Sequence, residues 1–397
     1  MRVLMTGGGT GGHVNPALAI AGTIKQNDPE STIAYVGTPR GIENKLVPAA
    51  GYKLYHVDIR GLKRSLSPEN IKTLFMTVSS TLKARRLIRE FKPDIVIGTG
   101  GYVCFPIVKA AADLHVPTAL HESNAVPGVA VKMLAPYVDR IYLNFEETAH
   151  CLSKYSSKLM RVGNPLMSAF SPKDPAEAKK KLGLPEGTKN VLLTYGGSMG
   201  AERVNDAVLE LMQKYTSQHP ETYHIHATGS IEYEAASRQF HELGLDKCPN
   251  IDFREYIYNM PDVMAAADLI VCRAGAMTVS ELAMSGKAAV FIPSPNVTNN
   301  HQYKNAKVLC DADAAEIVEE CSLDAGALNG IVEKLLSDEG EKMRESMGER
   351  IRAFAVPDAN KLIYRDVLSL IGRLFTPGGT GIIPYFGRGR TSRETEK

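Results

Sequence analysis

A histidine closes a glycine-rich run, Gly7-Gly8-Gly9-Thr10-Gly11-Gly12-His13, directly after an apolar strand candidate. Backbone N–H groups in such a run can converge on an anion ahead of a helix expected near Pro16, so the chemistry it suits is phosphate binding. His13 has the right type for a general base or a hydrogen-bond partner at neutral pH, with a purely structural role as the alternative. Gly7, Gly9 and Gly12 also satisfy G-x-G-x-x-G, but the second strand ends in Val36-Gly37-Thr38 without the acidic residue that would hold a ribose, which disfavours a nicotinamide enzyme. No Gly-Lys-Ser/Thr follows any glycine loop, so a P-loop NTPase is excluded.

Two further glycine loops follow apolar runs, Gly98-Thr99-Gly100-Gly101-Tyr102 and Gly196-Gly197-Ser198-Met199-Gly200. His121, Glu122 and Asn124 in HESNAVPG are expected at a strand end on the cleft side, and Thr278, Ser280 and Glu281 follow a glycine turn in RAGAMTVSE. A carboxylate at Glu281 suits acceptance of both hydroxyls of a ribose, with a simple helix cap as the plainer alternative. The ligand class that unites these groups is a nucleotide or a diphosphate.

The elements that must position them alternate as βα units. Strand candidates lie at 2–6, 32–36, 94–98, 117–120 and 140–145, then at 223–228, 251–256, 269–273 and 289–292, with helical patterns between them. A Pro-, Gly- and Lys-rich stretch at 163–190 interrupts the series before VLLTYGG restarts it, and three helical patterns follow 324. The expectation is an α/β chain of two Rossmann-like halves: 1–162 with the helix 357–373 packing back on it, 163–356, and a tail at 374–397. Ligands of such sheets collect beyond the carboxyl ends of the strands, here in a cleft between the halves.

Composition narrows the class further. The 397 residues carry 46 Lys+Arg against 44 Asp+Glu, so no global charge argues for nucleic acid. The six cysteines form no C-x-x-C pair and are expected to be buried thiols in a reducing cytoplasm. Neither a leader segment nor a spanning helix is expected from the apolar pattern. One local excess stands out: between Lys63 and Lys92, eight cations face two carboxylates. On the helix expected at 68–90, Ile71, Leu74, Phe75, Val78 and Leu82 form one apolar stripe beside these cations. Either the stripe packs into the core or it dips into a membrane interface.

In series, GGGTGGHVNPALAIA, IGTGGYVCFP, HESNAVPG, GNP, YGGSMGAERVN, RAGAMTVSE and PSPNVTNNHQYKNA resemble the MurG family of peptidoglycan glycosyltransferases, over residues 1–370. The resemblance implies a GT-B fold, with two Rossmann-like domains whose parallel sheets face a central cleft. It also implies metal-independent, inverting transfer of N-acetylglucosamine from UDP-N-acetylglucosamine to lipid-linked N-acetylmuramyl-pentapeptide (lipid I), with no cofactor and no Asp-x-Asp motif expected to be present to hold a divalent ion. By motif, the donor falls to Thr10, Gly11, Gly12, Asn124, Ser198, Ile257, Ala276, Met277, Thr278, Val279, Ser280, Glu281 and Gln302. His13 becomes the candidate base or acceptor orienter, and Gly7, Gly8, Gly9, Gly100 and Gly101 the acceptor's diphosphate site. Met167 stands where some members carry an arginine. The partners implied are UDP-N-acetylglucosamine, lipid I, an anionic membrane surface at the cytoplasmic face, and proteins of cell-wall synthesis. A UDP-sugar epimerase or hydrolase on the same scaffold and a non-catalytic UDP-sugar-binding module are the alternatives.

Overall fold

The computed structural model describes residues 1–59, 69–167, 170 and 173–372, with the backbone alone at 69–78, 324 and 325. Short runs that are apolar on both faces must be covered on both sides, which parallel sheets between helices achieve. In chain order the strands are β1 Arg2–Thr6, β2 Thr32–Gly37, β3 Lys53–His56, β4 Ile95–Gly98, β5 Thr118–Glu122, β6 Arg140–Leu143, β7 Leu159–Arg161, β8 Asn190–Tyr195, β9 Thr222–Ala227, β10 Ile251–Arg254, β11 Leu269–Cys272, β12 Ala289–Phe291 and β13 Glu316–Ile317. The first sheet runs β3-β2-β1-β4-β5-β6-β7 and the second β10-β9-β8-β11-β12-β13. All pairings are parallel, for example Val3 beside Ile95 and Leu193 beside Ile270.

Each sheet reverses its winding once, between β1 and β4 and between β8 and β11. At such a switch point the loops at the carboxyl ends diverge and leave a crevice. The three glycine loops and RAGAMTVSE follow β1, β4, β8 and β11, the four strands that flank the two switch points.

Both faces of each sheet are sealed. Leu4, Val96 and Leu120 face one layer of the first sheet, and Val3, Met5 and Ile97 the other. In the second sheet Leu192 and Val271 oppose Leu193 and Ile270. Ile363 and Val367 of the helix Ala359–Leu370 join the core around Met5, and Asp366 accepts from Arg140 Nε at 2.8 Å and Tyr142 O–H at 2.9 Å. The chain thus returns from its second sheet to its first.

Several local expectations change. The first helix is Gly11–Asn27, so Pro16 lies inside it and Gly11 to His13 form its first turn. β3, β7 and β13 carry no clear alternation because each is a sheet edge of two to four residues, half-covered on both faces. The 163–190 stretch holds a helix, Pro175–Leu182: Asp174 Oδ1 accepts from the Ala176 and Glu177 amides at 2.7 and 3.2 Å, Pro175 opens it and left-handed Gly183 closes it. Those stop signals resemble a linker when the lysines between them are counted as loop. The cysteines are free, but only Cys104 and Cys272 are buried; Cys151 and Cys321 are exposed and Cys248 and Cys310 half-buried.

The helix expected at 68–90 runs Glu69–Phe91. Lys63, Arg64, Ser67, Pro68, the side chains from Ile71 to Val78 and the tail 374–397 lie outside the described residues. In the part described, Ala84, Ile88 and Phe91 turn into the core while Leu82 is 60% exposed.

Candidate active site

The loops after β1 and β4 are folded onto each other. The Gly8 amide donates to the Gly100 carbonyl at 3.3 Å, and Thr99 Oγ1 donates to the His13 carbonyl at 2.6 Å. Gly101 has φ +80°, and a Cβ there would fall on the Gly8 carbonyl; one on Gly100 would meet the His13 ring, 2.8 Å from Nε2. Two glycines are needed because backbone and imidazole occupy the space a side chain would take. Beneath the loop, fully buried Glu43 accepts from the Gly9 amide at 3.2 Å, the Thr38 amide at 2.8 Å and the Thr38 hydroxyl at 2.7 Å. Burial opposes its ionisation, but these donors together hold the carboxyl below its ordinary value. With Gly8 and Gly9 engaged, the amides of Gly11 and Gly12 lie in the first turn of the helix, where no intrahelical acceptor precedes them.

His13 is oriented by the same loop. Its Nδ1 lies 3.0 Å from the Gly8 carbonyl, which can only accept, so Nδ1 carries the hydrogen and Nε2 keeps a lone pair. Burial lowers the imidazole's pKa, the Gly8 contact raises it, and the nearby His301 lowers it further. A neutral ring with a free Nε2 is the form a general base needs.

The HESN loop differs from its sequence reading. His121 and Glu122 turn inward instead of toward the cleft: His121 Nε2 lies 2.9 Å from the Gly163 carbonyl, and burial pulls its pKa down to about 4. Glu122 accepts from the Asn124 amide at 2.9 Å and the Gly128 amide at 2.8 Å, while burial pushes its pKa up. Both residues shape the loop, and Asn124 is the one that reaches the second sheet's helices.

Asparagines close the junction between the halves. Asn305, fully buried, accepts from the Ala125 amide at 2.9 Å and donates to Asn124 Oδ1 and the Ala274 carbonyl at 3.2 Å. Asn164 donates to the Ala276 carbonyl at 3.0 Å and Ser280 Oγ at 2.9 Å, and Ser280 donates to Asn144 at 3.3 Å. Sequence reasoning named none of Asn144, Asn164, Asn305 or Glu43 as site residues; Asn164 and Asn305 stand in GNP and NHQYKNA, which was the available signal, while Asn144 and Glu43 had none. Asn305→Ala strands the Ala125 amide and the Ala274 carbonyl, so a thermal melt is expected to show a loss of about 1–3 kcal/mol. An unchanged melting temperature contradicts the clasp.

On the second sheet, Ser198 and Met199 are exposed on the loop after β8, just before the helix Glu202–Lys214. Ile257 is 2% exposed after β10, and Gln302 Oε1 accepts from the Ser294 amide at 2.9 Å. The helix Ala276–Ser285 turns Val279 into the core and Ser280 toward the asparagines, leaving Thr278 and Glu281 on a shared face. Glu281 is half-buried, and burial pushes its carboxyl up to about 7. Met167 is 66% exposed and brings no charge. One Asp-x-Asp triplet does occur, Asp311-Ala312-Asp313, but it lies past the helix His301–Cys310, with Asp311 paired to Lys307 and Asp313 to Arg350.

The family model of the glycosyltransferase family 28 N-terminal domain matches residues 3–143, and that of the family 28 C-terminal domain matches residues 191–363. The chain belongs to glycosyltransferase family 28. This family-28 chain is 39% identical over 371 residues to a UDP-N-acetylglucosamine--N-acetylmuramyl-(pentapeptide) pyrophosphoryl-undecaprenol N-acetylglucosamine transferase of Acetivibrio thermocellus, covering 94% of this chain and 98% of that one. It is 41% identical over 363 residues to the transferase of the same name from Bacillus cytotoxicus, covering 91% and 97%. Among solved structures, Acinetobacter baumannii MurG superposes with a TM-score of 0.74 at 29% identity, over 93% of this chain and 99% of that one. A UDP-GlcNAc 2-epimerase from Neisseria meningitidis superposes at 0.62 with 16% identity over 93% and 100%, a likeness of fold alone.

Proposed function

We infer that this chain transfers N-acetylglucosamine from UDP-N-acetylglucosamine to the sugar of lipid I, making lipid II with inversion at the anomeric carbon. The observation that carries this reading is the 39–41% identity to transferases of that name along 91–94% of the chain, because so long a match includes both walls of the crevice. Residues 1–162 with the helix Ala359–Leu370 are read as the acceptor side and 163–356 as the donor side.

In this reading the donor's uracil lies beside Ile257, its ribose on Glu281, and its sugar near Asn124, Gln302 and the Thr10–Gly12 turn. His13 Nε2 takes the proton of the attacking hydroxyl as that oxygen bonds to the anomeric carbon. The bond from that carbon to the diphosphate oxygen breaks, and UDP leaves from the opposite face. Charge growing on the diphosphate meets the Ser198 loop and the amino ends of the helices Glu202–Lys214 and Ala276–Ser285. Without an arginine at Met167, these backbone groups carry more of that charge. The acceptor's diphosphate is assigned to Gly7, Gly8, Gly9, Gly100 and Gly101, where the engaged Gly8 and Gly9 amides leave close backbone approach as the glycines' contribution.

The test is to incubate purified protein with UDP-N-acetylglucosamine and a short-chain lipid-linked muramyl-pentapeptide. The lipid-linked disaccharide is the expected product. Conversion of the nucleotide sugar without acceptor would instead mark an epimerase or hydrolase, and binding without turnover a binding module.

The same reading makes the enzyme peripheral at the cytoplasmic face of the membrane; among the described residues, no helix is long and apolar enough to cross one. Support comes from exposed Leu82, and from Val129, Met133 and Tyr137, which are 57%, 45% and 49% exposed on and just after the helix Val129–Leu134. Arg85 and Arg86 pair with Asp113 at 3.6 Å and Glu90 at 2.8 Å, solvent-screened surface contacts weak enough to yield to anionic headgroups. The parent is therefore expected to co-sediment with anionic vesicles at low salt and to be released as salt rises. Arg85→Glu/Arg86→Glu/Arg89→Glu protein is expected to stay in solution; if it is folded and sediments like the parent, the membrane face is wrongly assigned.

A further inference from the structure

Tyr195, the last residue of β8, is only 7% exposed, and its phenol oxygen has no partner in hydrogen-bond geometry among the described residues. A buried hydroxyl in that condition marks a place where a partner is supplied by something else. Cys272 stands opposite Tyr195 in the β8–β11 register, and both belong to the layer that the helix Ala276–Ser285 covers. The Cys272 thiol and the Thr278 hydroxyl lie near the phenol oxygen without meeting it in hydrogen-bond geometry, and Glu281, one turn from Thr278 on that helix, lies close enough to raise the phenol's pKa. Burial is what pushes the Glu281 carboxyl up, and that carboxyl forms no hydrogen bond or ion pair among the described residues. A phenol that is out of hydrogen-bond geometry with its neighbours and a carboxyl that forms no hydrogen bond therefore stand close together where β8 ends.

We propose that Tyr195 is a positioning residue for the donor's ribose: its hydroxyl donates to the Glu281 carboxylate, directly or through the Thr278 hydroxyl, once the ribose draws that carboxylate into its bound rotamer. The proposal rests on the reading of Glu281 as the ribose-binding carboxylate. The phenol then has two effects. It selects the rotamer in which both ribose hydroxyls are met, and it supplies the anion with a hydrogen bond in surroundings that otherwise favour the neutral acid.

The titratable groups facing Glu281 are Tyr195 from β8 and Cys272 from β11. Burial raises both, Cys272 to about 12, so neither changes charge between about pH 6 and about pH 9. With the Glu281 carboxyl pushed up to about 7, the binding-competent anion is lost as pH falls through neutrality. Removing the phenol leaves the anion with less support, so the midpoint of that loss moves to higher pH. Donor affinity should therefore drop near pH 7 and recover as pH rises.

The experiment is calorimetric titration of the full chain with UDP between about pH 6 and about pH 9, for the parent, Tyr195→Phe and Glu281→Gln. Tyr195→Phe removes only the unpartnered oxygen and keeps the ring in the core. It is expected to weaken UDP binding roughly fivefold at about pH 7, approaching tenfold near pH 6, and hardly at all near pH 9, with the whole profile displaced upward by about one pH unit. Glu281→Gln is expected to bind weakly at every pH. A second readout, the titration of the Glu281 carboxyl followed by carbon-13 NMR, is expected to show a higher midpoint in Tyr195→Phe than in the parent. A Tyr195→Phe profile that matches the parent, or one weakened equally at all pH values with an unmoved carboxyl midpoint, overturns the positioning role while leaving the ribose reading intact. Unchanged UDP affinity in folded Glu281→Gln overturns both.

Discussion

His13→Ala is expected to lower kcat for sugar transfer by about 10²–10⁴-fold while leaving the dissociation constant for UDP-N-acetylglucosamine nearly unchanged. The ring is held by the Gly8 carbonyl through Nδ1, so Nε2 is the atom left for chemistry, and the space for it exists because residue 100 is glycine. The pH dependence has a definite sign. Burial lowers the imidazole's pKa, so the neutral base persists through neutrality and the acid limb of kcat lies below the ordinary histidine range. Steady-state kinetics at saturating donor, with calorimetry for donor affinity, separates the two quantities. A variant that loses donor affinity but keeps kcat makes His13 a donor contact and leaves the reaction without this base.

Glu281→Gln is expected to show the opposite division, with donor affinity falling and kcat at saturating donor retained. A carboxylate that accepts two hydroxyls makes charge-assisted hydrogen bonds, and an amide offers one acceptor and a donor that the ribose must rearrange to meet. The expected loss is about 1.5–3 kcal/mol, or roughly ten- to a hundredfold in the dissociation constant. Because burial pushes the carboxyl to about 7, parent affinity falls as pH drops through neutrality, and the glutamine variant loses that dependence. Calorimetry on folded protein checks both statements, and equal affinity of parent and variant removes Glu281 from the donor site.

The two effects separate along pH as well. Glu281 begins to protonate near neutrality, whereas His13 remains neutral to lower pH. On acidification, KM for the donor should therefore rise before kcat falls. The reverse order contradicts the division of labour between the two halves.

The sequence alone determined the α/β alternation, the two Rossmann-like halves and the loops that matter, because these follow from local properties. Strand runs such as RVLMT and LIVC are apolar on both faces and must be covered on both sides, and glycine at 100, 101, 197 and 200 serves backbone with positive φ. Local periodicity could not give the edge strands β3, β7 and β13, whose existence depends on a neighbour to pair with. Nor could residue type tell which polar groups face the crevice. His121 and His13 both end glycine- or strand-bounded motifs, yet His121 is drawn inward by the Gly163 carbonyl 42 residues on, while His13 is held at the crevice by a carbonyl five residues back. The Asn305 clasp joins residues 180 apart, and the Asn164–Ser280 bond residues 116 apart. Such partners meet only once both sheets have formed, so the protonation states of His13 and Glu281, the orphaned phenol of Tyr195 and the closure of the crevice were decided by tertiary structure, where burial and long-range hydrogen bonds outweigh what any single residue prefers.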